Sequence, residues 1–65
     1  MPIVRVEIWK GRNKEQKQKL AEKLTSAVVE SISCPPEAVQ VIISEIDKEN
    51  WAIGSKLASE KFPAK

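Results

Sequence analysis

Two short runs of alternating β-branched residues enclose one long amphipathic helix, and that pattern restricts the fold more than any other feature. In the run Pro2 to Trp9, Val4, Val6 and Ile8 share a parity with Pro2, while Ile3, Arg5, Glu7 and Trp9 share the other. Period two with β-branched residues predicts a strand with one apolar face. Gly11 breaks the run, and Asn13-Lys14-Glu15-Gln16 reads as a capping box with Gln16 at its third helical position. The spacing then predicts a helix from Lys14 to Ile32. Its buried stripe is Leu20, Leu24, Ala27, Val28 and Ile32, with Ala21 and Ser31 at the margins. Ser33-Cys34-Pro35-Pro36 ends it, because a residue before proline avoids the α region.

Val39 to Ile46 is the second strand. Val39, Val41, Ile43 and Glu45 face one way, and Gln40, Ile42, Ser44 and Ile46 the other. Apolar residues on both faces predict that it is the more buried of the two strands. Strand, helix and strand with short links form a βαβ unit with parallel strands and a right-handed crossover. Gly54, within Trp51 to Ala58, predicts a short C-terminal hairpin. Residues 60–65 read as a flexible tail. The fold class is therefore α+β, with residues 1–65 as a single domain.

A chain of 65 residues makes a poor core on its own. Cys34 is the only cysteine and there is no histidine, which removes an internal disulfide and a zinc site as remedies. Yet 42% of the residues are hydrophobic, too many for a disordered chain. One helix also covers only one face of a two-stranded sheet, and two strands are not independently stable. Assembly of several copies is the remaining route. Eleven Lys and Arg against nine Asp and Glu give a net charge of +2, interleaved in sign, which argues against a nucleic-acid partner. No apolar run reaches membrane-spanning length and no signal-peptide pattern precedes the first strand, so a cytoplasmic protein is expected.

Pro2 carries the first chemical reading. If Met1 is removed, the Pro2 ring nitrogen becomes a free secondary amine, a group no internal proline possesses. An α-amino group titrates near ~8, and positive neighbours or an apolar site push it lower. Such an amine is a general base for moving a proton on carbon. The plain alternative is the first residue of an edge strand, where proline costs no ladder hydrogen bond.

Met1-Pro2-Ile3 before a strand, Gly11-Arg12 with Glu15-Gln16-Lys17 behind it, Val41-Ile42-Ile43-Ser44-Glu45, and Trp51-Ala52-Ile53-Gly54 together resemble the 4-oxalocrotonate tautomerase family. The likeness spans nearly the whole chain. It implies a keto-enol tautomerase without cofactor or metal, acting on 2-hydroxydienoate or enolpyruvate-type carboxylates. Pro2 would be the general base, Arg12 would hold the substrate carboxylate, and Trp51 would line the apolar pocket. It further implies a homohexamer, a trimer of dimers, with sites at subunit contacts. One position departs from the pattern. The family's second arginine, at the start of the second strand, is Gln40 here. Glutamine is neutral, donates a hydrogen bond, and forms no charged fork with a carboxylate.

Each of these residues also has a structural explanation. Arg12 could be a loop arginine, Trp51 a packing residue and Gln40 a plain strand residue. Lys14, Lys17 and Lys23 read as a solvated helix face, and no base is visible to activate Cys34 or Ser44. Two other functions fit the same fold: a non-catalytic oligomeric scaffold, and a dehalogenase or hydratase that would need acids near Pro2, for which Glu7 and Glu45 are candidates.

Overall fold

The computed structural model describes residues 2–62. Strand β1 spans Ile3–Trp9, helix α1 Lys14–Ile32 and strand β2 Gln40–Ile46. The two strands run parallel, in register from Ile3 against Gln40 to Trp9 against Ile46. Pairing continues past both ends, where Gln40 N–H donates to the Pro2 carbonyl at 3.0 Å and Lys10 N–H to the Ile46 carbonyl at 3.1 Å. A short antiparallel hairpin follows, β3 Ala52–Ile53 and β4 Lys56–Leu57, and a single-turn helix α2, Ala58–Lys61, closes the described chain.

Helix α1 starts as its capping box dictates. Asn13 Oδ1 accepts from Gln16 N–H at 2.8 Å, and Gln16 Oε1 accepts from Asn13 N–H at 3.1 Å. The helix lies over the sheet face that carries Val4, Val6, Ile8, Val41 and Ile43, all half-buried. Lys17 Nζ reaches Glu45 Oε2 on that face at 3.0 Å. The stripe keeps Leu20, Leu24 and Val28 half-buried as expected but differs from its sequence expectation around them. Ala21, Thr25 and Val29 turn toward the sheet, whereas Ala27 is exposed, so the helix is rolled by about one row of side chains. Ile32 is 59% exposed. Nineteen helical residues extend ~28 Å, against ~23 Å for seven strand residues, so the last turn overhangs the sheet.

The opposite sheet face is open. Ile3 is 51% exposed and Ile42 41%, with Arg5, Glu7, Gln40 and Ser44 exposed beside them. Strand β2 is therefore no more buried than β1, contrary to expectation, because nothing in the protomer covers its second face. Among the described residues only Ala58 is fully buried, at 0% exposure. The protomer measures 42 × 25 × 14 Å with a radius of gyration of 14.7 Å, against about 11 Å for a compact chain of this length. It is a thin two-layer slab whose uncovered face is partly apolar.

The C-terminal segment closes only the far end of the sheet. Gly54, at φ +67°, opens the two-residue turn Gly54-Ser55, and Ser55 lacks a positive φ, as a turn with glycine at its first central position requires. Glu60 and Lys61, expected in a tail, lie at the end of α2 instead, and Phe62 packs its ring 5.4 Å from that of Trp9. The rest of that expected tail, residues 63–65, lies outside the described residues.

Ser33 ends α1 in the left-handed conformation, at φ 57° and ψ 54°, with its N–H on the Val29 carbonyl at 2.9 Å. Helices prefer glycine there, since a Cβ is strained in this region. Ser33→Gly is expected to stabilise the fold by about 0.5–1 kcal/mol after the entropy cost of glycine. The urea midpoint at fixed protomer concentration checks this, and an unmoved or lowered midpoint would contradict it.

Candidate active site

The four residues singled out in the sequence fall into two groups at opposite ends of the sheet. Pro2 and Gln40 form the first. Pro2 sits half-buried immediately before β1, where its missing N–H breaks no ladder bond. Its carbonyl takes the Gln40 N–H, which places Gln40 beside it on the neighbouring strand. The expectation that Met1 is removed concerns a residue outside the described ones.

Arg12 and Trp51 form the second group. Gly11 adopts φ +127°, a conformation open to glycine alone, and turns the chain out of β1. Arg12 follows, held between this turn and the Asn13 cap. Its Nη1 donates to the Trp9 carbonyl at 3.2 Å. Arg12 borders a shallow cleft of about 330 Å³ with Ile8, Gln16, Lys17 and Leu20. Trp51 is half-buried and meets Trp9 edge to face, with ring centroids 5.6 Å apart and planes at 75°.

The seven residues of β1 separate the groups by ~23 Å. A small carboxylate cannot touch Pro2 and Arg12 of the same protomer. Glu7 and Glu45, the acids considered for a dehalogenase or hydratase, lie toward the Arg12 end of the paired strands, and Glu45 is tied to Lys17. Among the described residues no cluster of three or more His, Cys, Asp or Glu could hold a metal ion, and no helix is long and apolar enough to cross a membrane.

Two residues to which the sequence reading gave no site role, Trp9 and Phe62, join Trp51 at the Arg12 end. Trp9, Trp51 and Phe62, all the aromatic residues of the chain, converge there. Lys48 Nζ lies 4.9 Å from the Trp9 ring centroid and donates to the Phe62 carbonyl at 2.6 Å. The signal was the parity of Trp9: a large apolar residue that follows Arg5 and Glu7 on the wetter strand face needs cover from elsewhere in the chain.

A parallel βαβ unit, a short hairpin and a proline ahead of the first strand define a small tautomerase fold. The family model for tautomerase enzymes matches residues 2–61. The chain is 46% identical over 61 residues to a probable tautomerase of Bacillus cereus, covering 94% of this chain and all of the relative. It is 42% identical over 60 residues to a 2-hydroxymuconate tautomerase of Pseudomonas putida, covering 92% of this chain and 95% of that one. Its fold superposes with a TM-score of 0.87 on a heterohexameric 4-oxalocrotonate tautomerase of Chloroflexus aurantiacus J-10-fl, at 32% identity, covering 92% and 97% of the two chains. The protein thus belongs to the 4-oxalocrotonate tautomerase family of the tautomerase superfamily. It is a tautomerase, an isomerase, and the non-catalytic scaffold considered above finds no support in these matches.

Proposed function

We propose that this tautomerase acts on 2-hydroxydienoate or enolpyruvate-type carboxylates, with the amine of Pro2, freed of Met1, as general base. The amine takes the enol proton, the C–O bond becomes a carbonyl, and the displaced π electrons reach a carbon that receives the proton from the same nitrogen. Nothing is oxidised or reduced, so the step asks for no redox cofactor. Arg12 holds the carboxylate, Trp51 forms the apolar wall, and Gln40 offers a neutral donor where a second arginine would bind a second carboxylate. That substitution favours substrates with one carboxylate, such as an arylenolpyruvate, over dicarboxylates.

The observation that carries this reading is that the whole of β1, ~23 Å of strand, lies between Pro2 and Arg12. A twofold-symmetric pair formed edge to edge through β1 is necessarily antiparallel. Antiparallel pairing exchanges the ends, and brings Arg12 and Trp51 of one copy beside Pro2 of the other. Three such pairs, packed through the open faces that carry Ile3 and Ile42, give a homohexamer. The hexameric relative, the small protomer core and the thin slab all support that assembly.

Mixing two impaired variants tests the shared site. Pro2→Ala and Arg12→Ala chains, denatured together and refolded one to one, should regain about a quarter of wild-type kcat/KM. Half of the random pairs are mixed, and each mixed pair rebuilds one of its two sites. No recovery, with subunit exchange verified by native mass spectrometry, would rule out a site divided between chains.

A further inference from the structure

We propose that Trp9 is a positioning residue of the tautomerase site, setting the spacing between the carboxylate anchor and the apolar wall. This rests on the roles proposed above for Arg12 and Trp51. Trp9 touches both. Its carbonyl accepts from Arg12 Nη1 at 3.2 Å, and its indole meets Trp51 edge to face at 5.6 Å. Its own place is fixed from three directions. The strand register sets it opposite Ile46, Phe62 packs 5.4 Å from it, and the Lys48 ammonium lies 4.9 Å from its ring centroid.

The indole also carries a cost that packing alone does not explain. Trp9 Nε1 is buried and has no hydrogen-bond partner among the described residues. An unpaired buried donor is destabilising, and a phenylalanine or leucine would fill apolar space without one. A wide flat ring is what the position gains in return. It backs Trp51 broadly enough to stop that side chain from swinging away from the strand end where Arg12 is held. Arg12 keeps further donors for a substrate while one is spent on Trp9. A residue acting in this way affects how substrate is held and leaves the proton-transferring nitrogen, on another copy, untouched.

Steady-state kinetics on phenylenolpyruvate test the role, with assembly checked by sedimentation. Trp9→Ala should raise KM about tenfold, the scale of one lost aromatic pair, with kcat within about threefold of wild type. Trp9→Phe restores a ring and should bring KM back to within about threefold of wild type. Phe62→Ala strips packing from the same indole but leaves the Trp9–Trp51 contact in place, and should lower thermal stability while raising KM clearly less than Trp9→Ala does. In a Trp51→Ala background, Trp9→Ala should add little, because the two act as a unit. Unchanged KM in Trp9→Ala, an equal KM rise in Phe62→Ala, or full additivity with Trp51→Ala would each overturn the proposal. If Trp9→Ala fails to assemble, Trp9→Leu decides the matter: it keeps apolar bulk without the flat ring, and a wild-type KM would overturn the role. Full activity in Pro2→Ala with the Trp9 pattern intact would instead sink the base assignment and leave the positioning role standing.

Discussion

Protein that retains Met1 is expected to lose turnover by about 10²–10⁴, the usual contribution of a positioned general base. The reason lies in one bond. With methionine attached, the Pro2 nitrogen is part of a tertiary amide, and its lone pair is delocalised into the carbonyl. It can neither take nor return a proton. The fold should be indifferent, since β1 begins at Ile3 and the nearest ladder bond uses the Pro2 carbonyl. Blocked and processed protein, separated by intact mass and compared by circular dichroism and by ketonisation of a dienol, check both halves. Pro2→Ala should fall less steeply than the blocked chain, because a primary amine remains at the same place. Equal turnover in blocked and processed chains would remove Pro2 from the chemistry.

The second large effect is expected at Arg12. A guanidinium holds a carboxylate through two parallel charged hydrogen bonds. Losing an interaction of ~3 kcal/mol lowers kcat/KM by about 10² in Arg12→Ala, mostly through KM. Arg12→Lys should recover only part, since an ammonium has the charge without the fork. Stability should barely move: the side chain is exposed, and its bond to the Trp9 carbonyl lies at the surface. Steady-state kinetics on a monocarboxylate and a dicarboxylate, beside urea titration, separate these outcomes. A loss confined to kcat would mean that Arg12 does not anchor substrate. With Gln40 standing where a second arginine would sit, the dicarboxylate has no second charged anchor and should lose no less than the monocarboxylate.

The elements were largely legible in the residues. Alternation set β1, and the Asn13–Gln16 box and the Ser33-Cys34-Pro35-Pro36 stop set both ends of α1, at Lys14 and Ile32. Gly54 set the hairpin turn. The misses share one cause. The roll of α1, which half-buries Thr25 and Val29 and exposes Ala27, depends on how the helix seats on the sheet, and helical period does not specify that. Glu60 and Lys61 looked like a tail because no local signal shows that Phe62 will find Trp9, far back in the chain. The greater burial expected for β2 would need a further layer on the open sheet face, and among the described residues one protomer has none.

The sequence by itself determined the order and kind of the elements as far as the hairpin, the family, and the expectation that so short a chain needs neighbours. Those depend on residue spacing, on turn and cap chemistry, and on the ratio of surface to volume. Only the tertiary structure decided which residues share an end of the sheet. Parallel pairing in one register puts Gln40 beside Pro2, and gathers Arg12, Trp9, Trp51 and Phe62 a strand's length away. Strand direction and register are properties of contacts between distant segments, so no local pattern announces that the proposed base and its anchor lie too far apart to serve one substrate within a single chain.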